Sequence, residues 1–520
     1  MPDTRVLIVG LDGGTFKKLR PWLLGKDLPL LSKLYAEGCH AQLRTFFPTL
    51  SPLEWACFYT GKAPGKLGLF ALSHVEDLRE SQKSWRVIDS TAIEAKSLWR
   101  ILGDEGIRVG VVNIPATYPP EKINGFLISG YLTPNSAKDF FYPESLAHDL
   151  EGYRIESEFE YMPDKNIETG RLLADLQAVA EQRNKAIVSI LQHEQISFLA
   201  LNVKEVDTLQ HVFWEDDLTL LKFMKLVDQL LSDLVAKFRP THVFVMSDHG
   251  FHEAESEYFY INTWLKGKGY LKSAGGLRGR FWGIAYRLAI ALSKQSSVVR
   301  RIVVTRGKEH VSKYAGLQVD VHNSKVYASQ WGVFFSPPLR TGNEYEEFRK
   351  RLMEDLLSIR SPSGFKVFDA VYTREELFQG PHLESFPDLI PIPAPRFLVN
   401  ANLFGQIFDK RIDRPYLRGA HKSDPEGIFI LQGEGVKPGA DLGTVTLIDI
   451  APTALYLYGL SPPSDMDGRI IKEAFTDDFT SMRQTKKIAE SSEEQEKERR
   501  VYSPEEQEQI TEHLRRLGYV

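Results

Sequence analysis

Seven residues of this chain carry side chains that could serve one kind of chemistry. Asp12, Asp207 and Asp248 are carboxylates, and His211, His249 and His421 are imidazoles, all hard or borderline ligands for a divalent metal. Ser51 adds a hydroxyl that could act as a nucleophile beside such an ion. Local settings sharpen the reading. Asp207 and His211 stand four apart, a spacing that on a helical turn stacks both side chains on one face, although an isolated D-x-x-x-H is more often a surface ion pair. Asp248, His249 and Gly250 close an apolar run, so a carboxylate and an imidazole leave the end of a strand together. Asp12 follows the run at 5–11 in the same way, with an Asx turn as the alternative. His421 alone, in Gly419-Ala420-His421, says little. Ser51 opens a helix whose first turn holds Pro52, so its hydroxyl would face the positive end of the helix dipole. Ser51 and Glu54 also spell S-x-x-E, and taken alone the segment reads as a capping box.

The elements that must position these residues follow from hydrophobic pattern. Residues 5–11, 41–47, 109–115, 125–130, 196–203, 242–246 and 427–433 read as strands, several of them continuous apolar runs of the kind buried on both faces of a parallel sheet. Helices are expected over 51–60 (stopped at Gly61), 92–103, 169–193, 218–238, 345–360 and 446–460. Residues 325–335 and 367–373 resume strand-like alternation. The class expected is α/β, a doubly wound and mostly parallel sheet flanked by helices. Core is assigned to 1–264 and 386–475, an inserted cap to 265–385, and a charged linker with a terminal helix to 476–520. That last helix starts at a second capping box, Ser503 to Glu506, and could dock on the core or stand in solvent.

With 520 residues, 26% charged and 42% hydrophobic, the chain can bury a large core, and a net charge of -5 gives no whole-chain signature of nucleic-acid binding. No basic n-region precedes the first strand, so no secretory signal is expected. Cys39 and Cys57 are too few for a disulfide framework, and the two observations together suit a cytoplasmic protein. The longest uncharged apolar run, 281–286, falls short of a membrane span. It lies in a basic segment, 266–313, where twelve Lys and Arg face only Glu309, and which could lie on an anionic membrane surface or form a solvated insertion.

Assembled in order, these motifs resemble the alkaline phosphatase superfamily, in its type I phosphodiesterase/nucleotide pyrophosphatase branch. The resemblance rests on G-L-D-G at 10–13, P-T-L-S-P at 48–52 with T-G at 60–61, D-T-L-Q-H at 207–211, S-D-H-G at 247–250, G-A-H at 419–421 and D-I-A-P-T-A-L-Y at 449–456. It implies two zinc ions, or manganese in their place: one held by Asp12, Ser51, Asp248 and His249, the other by Asp207, His211 and His421. It also implies that Ser51 attacks phosphorus and forms a phospho-enzyme, on a small phosphate-ester substrate. Two departures bear on substrate. Nucleotide pyrophosphatases of this branch usually hold H-G-I and then an Asn that contacts a phosphoryl oxygen, where this chain has Leu67-Gly68-Leu69 and Leu72. The C-x-P-x-R segment of sulfatases is missing at Ser51-Pro52-Leu53-Glu54-Trp55, which disfavours sulfate esters. A phosphomonoesterase or phosphoryl transferase on the same site is the enzymatic alternative, and a binding module that keeps the fold is the other.

Overall fold

The computed structural model describes residues 4–74, 87–157, 169–273, 319–403, 406–411, 416–488 and 502–517. Most of the basic segment at 266–313 therefore lies outside the described residues. A nine-stranded sheet forms the centre. In chain order its strands are β1 (Val6–Leu11), β2 (Cys39–Arg44), β3 (Val109–Ile114), β4 (Gly125–Ser129), β5 (Phe141–Tyr142), β6 (Phe198–Val203), β7 (His242–Met246), β8 (Glu426–Gly433) and β9 (Asp441–Thr446). They lie in the order β9-β2-β8-β7-β1-β6-β3-β4-β5. β8, inside the sheet, and β5, at its edge, run against the rest.

β1 shows why its sequence is a continuous apolar run. Val6 and Ile8 belong to the core on one face of the sheet, while Leu7, Val9 and Leu11 belong to the core on the other. A strand covered on both sides has no polar face to alternate with. The first face is covered by α1 (Ser51–Thr60) and α5 (Ile450–Leu457), whose Trp55, Phe58, Ala451 and Leu455 are buried there. The second is covered by α2 (Thr169–His193) and α4 (Asp217–Phe238), with α3 (Glu205–Phe213) beside them.

Two smaller sheets build a separate apolar core from residues 259–403. One pairs Phe397–Asn400, Glu257–Tyr260 and Phe408–Lys410; the other pairs Val326–Ala328, Val333–Phe335, Leu389–Pro393 and Phe368–Thr373. The alternation at 325–335 is thus a hairpin, turned where Ser329 accepts hydrogen bonds from Trp331 and Gly332. The helix expected over 92–103 occupies only Leu98–Asp104, after a short 3-10 turn.

The terminal helix α6 (Pro504–Leu517) docks. Its capping box is formed, with Ser503 N donating to Glu506 Oε2 at 2.8 Å and Glu506 N to Ser503 Oγ at 3.2 Å. Tyr502, Ile510 and Leu514 enter an apolar cluster that also holds Phe47, Leu50, Trp331 and Phe386. Among the described residues no helix is long and apolar enough to cross a membrane.

Candidate active site

Strand register decides where the seven residues meet. Gly10 of β1 lies opposite Met246 of β7, and Leu11 opposite Val203 of β6. The segments that follow these strands, carrying Asp12, Asp248 with His249, and Asp207 with His211, therefore emerge at one carboxyl edge. Ligands bind at that edge in doubly wound sheets. Ser51 arrives from the loop after β2. His421 follows the short strand Gly419–Ala420, which pairs antiparallel with His252–Glu253 and reaches the same edge because β8 runs in reverse.

Two glycines let the edge close. A Cβ on Gly10 would lie 2.2 Å from the Trp55 ring, so a bare backbone is what lets α1 sit on β1. Gly13 has φ +66°, and its N–H donates to Asp248 Oδ1 at 3.0 Å, tying the loop after β1 to the loop after β7.

All seven residues come together. Ser51 Oγ lies 3.3 Å from Asp12 Oδ1 and 3.3 Å from His249 Nε2. His249 Nε2 lies 3.5 Å from Asp248 Oδ2 and 3.9 Å from Asp12 Oδ1. On the other side, Asp207 Oδ1 lies 3.4 Å from His211 Nε2 and 3.8 Å from His421 Nε2. Ligand atoms of Asp12, Asp207 and His249 lie within 4.8 Å of one another, which joins the two groups, and the His249 and His421 rings stack at 3.8 Å.

Each imidazole is held by its far nitrogen. Nδ1 of His211 meets Gly419 O at 2.9 Å, that of His249 meets Gly250 O at 3.0 Å, and that of His421 meets Thr49 O at 3.0 Å. A carbonyl can only accept, so Nδ1 carries the proton and Nε2 presents a lone pair inward, the orientation that metal-bound histidines adopt. Asp207 Oδ1 is buried with no hydrogen-bond donor, facing two such lone pairs. That arrangement is repulsive without a cation among the three, so these residues fit a divalent metal.

Electrostatics point the same way. Burial, then the neighbouring Asp248, push the Asp12 carboxyl well above the usual carboxylate range, with Lys204 and a hydrogen bond from the Asn202 side-chain amide opposing. Asp207 is also buried, yet its contact with the Lys204 ammonium holds it below that range. Burial first, then His249 and His211, drive His421 well below 6.5, so it stays a neutral ligand.

The capping-box reading of Ser51 and Glu54 does not hold. Leu50 is the N-cap and makes no side-chain cap bond, while Ser51 is the first helical residue with its hydroxyl turned to Asp12 and His249. Glu54 is fully buried instead of reaching back to the helix start. Other contributors carry no local motif. Asn202 Nδ2 donates to Asp12 Oδ2 at 2.7 Å, Trp55 Nε1 donates to Asp248 Oδ2 at 3.1 Å, Thr49 Oγ1 donates to His421 O at 2.5 Å, and Lys204 pairs with Asp207. The signal available for Asn202 and Lys204 was their place, polar residues at the ligand end of an apolar strand.

Solved structures share this architecture. Murine ectonucleotide pyrophosphatase/phosphodiesterase 5, an inactive variant in complex with AMP, matches at TM-score 0.51 and 14% identity over 91% of this chain and 100% of its own. Its human counterpart matches at TM-score 0.52 and 13% identity over 91% and 100%. Phosphonoacetate hydrolase from Sinorhizobium meliloti 1021, in complex with phosphonoformate, matches at TM-score 0.54 and 15% identity over 86% and 94%. Identities this low establish the fold. No curated protein matches the chain by sequence. The class is that of phosphoric ester hydrolases in the alkaline phosphatase superfamily. More narrowly, residues 6–424 match Type I phosphodiesterase / nucleotide pyrophosphatase, and the chain belongs to that divalent-metal-dependent family.

Proposed function

We propose that the protein hydrolyses phosphodiester or pyrophosphate bonds of small molecules through a phospho-Ser51 intermediate. One juxtaposition carries the reading: Ser51 Oγ stands 3.3 Å from both Asp12 Oδ1 and His249 Nε2, at the first residue of a helix. Asp12, Ser51, Asp248 and His249 would hold one divalent ion, and Asp207, His211 and His421 a second, zinc being expected and manganese the alternative. When bound, such ions neutralise phosphoryl charge and lower the pKa of a coordinated hydroxyl or water.

The chain's own residues do the rest. Asp12 accepts the Ser51 hydrogen bond and so aims an oxygen lone pair into the pocket. Ser51 is the first residue of α1, so its hydroxyl stands at the positive end of the helix dipole, which favours an anionic phosphoryl group there. The Oγ–P bond forms, with the Ser51 proton released to solvent, as the bond from phosphorus to the departing oxygen breaks, and that oxygen leaves with the electron pair. Water then attacks phosphorus, the Oγ–P bond breaks, and Ser51 regains a proton. Leu72, where an asparagine would contact a phosphoryl oxygen, is buried in an apolar cluster and offers no donor.

Initial rates on bis(4-nitrophenyl) phosphate and 4-nitrophenyl phosphate test this. The diester should turn over faster, with loss on chelation and recovery on adding zinc or manganese. Faster monoester turnover would favour the phosphomonoesterase alternative, and no turnover with any divalent metal would favour the binding module.

A further inference from the structure

Glu54 is unexplained by any of these steps. It lies one helical turn beyond Ser51, is fully buried, and neither carboxyl oxygen makes a well-formed hydrogen bond. One of its oxygens lies within 4.8 Å of ligand atoms of both Asp248 and His249. A buried carboxylate among carboxylates is costly unless a cation adjoins it. The neighbouring Trp55 leaves Glu54 unsatisfied, since its indole N–H is given to Asp248.

We propose that Glu54 is a further ligand of the cation held by Asp12, Asp248 and His249. The inference rests on the metal-dependent reading above and extends it to the identity of the ions. With Glu54 added, one half of the centre is rich in oxygen, with Asp12, Glu54, Asp248 and the Ser51 hydroxyl set against one imidazole. The other half has two imidazoles and one carboxylate. Oxygen ligands suit manganese or magnesium, and imidazoles suit zinc. The centre is therefore asymmetric, with a harder ion beside Ser51 and zinc beside Asp207.

Calorimetric titration of the chelator-stripped full chain with Mn²⁺ and with Zn²⁺, for wild type and Glu54→Gln, tests this without reference to turnover. Glu54→Gln should bind Mn²⁺ about tenfold or more weakly, the scale seen when a supporting group is lost from a metal site. It should keep wild-type zinc affinity at Asp207, His211 and His421. Should the amide variant not fold, Glu54→Leu carries the same expectations. Wild-type Mn²⁺ affinity in the folded variant would overturn the assignment of Glu54 while leaving the two-metal reading intact. Failure of wild type to bind either ion would overturn both.

Discussion

Trp55 shows how one residue serves packing and chemistry together. Its ring fills the space above Gly10, and its N–H is the partner of Asp248 Oδ2. Trp55→Phe keeps most of the apolar contact and removes the donor. The expected loss is about 1–3 kcal/mol in urea denaturation of the metal-free protein, the range for leaving a buried acceptor unsatisfied. At this scale Asp12, Asp207, His211, Asp248 and His249 were legible because each sits in a short motif tied to an element end, whereas His421 stood out only through the order of the motifs before it. Glu54 was misread because S-x-x-E looks the same whether or not it caps. What turns its side chain inward is the edge formed by β1 and β7 above it, which lies outside the local sequence. Asn202 and Trp55 were missed for the same reason, since their partners are 190 and 193 residues away in the chain.

At the scale of elements, β7 carries a group outside the site that should read out in pH. His242, its first residue, is buried with Nε2 2.9 Å from Glu434 O, and burial holds its pKa below the ordinary value of 6.5. A lowered histidine pKa means that the unfolded chain binds the proton more readily. The stability tied to the neutral ring is therefore complete above 6.5 and is lost as pH falls below that value and through the folded-state pKa. Between about pH 7.5 and about pH 5, wild type should lose more melting temperature than His242→Gln, which has nothing to protonate. Equal losses would mean that the buried ring is not what acid attacks. The strands themselves were readable because runs such as β1 and β6 have no polar face. The reversed direction of β8 was not, since a strand buried on both faces shows the same apolar run whichever way it points.

On the scale of the whole molecule, core, inserted sheets and tail meet in one apolar cluster beside the Ser51 segment. Leu514 of α6 is fully buried there with Phe47 and Leu50, residues that lead directly to Ser51, with Trp331 from the insertion and with Phe386 just beyond it. Leu514→Ala should cost about 2–5 kcal/mol by chemical denaturation, the usual range for a buried leucine. A loss under about 0.5 kcal/mol, typical of a surface change, would mean that the tail helix does not pack here. The capping box that starts α6 was visible in sequence, whereas its docking was not, because what receives it is assembled from four distant stretches of chain.

Ser51 is proposed as the nucleophile of a metal centre. Diester turnover and metal content, measured together for wild type and Ser51→Ala, test that most directly. The prediction is that the variant retains its metal while turnover falls by roughly a thousandfold or more, as when a catalytic nucleophile is removed. A metal-loaded Ser51→Ala protein that hydrolyses the diester at the wild-type rate would contradict it.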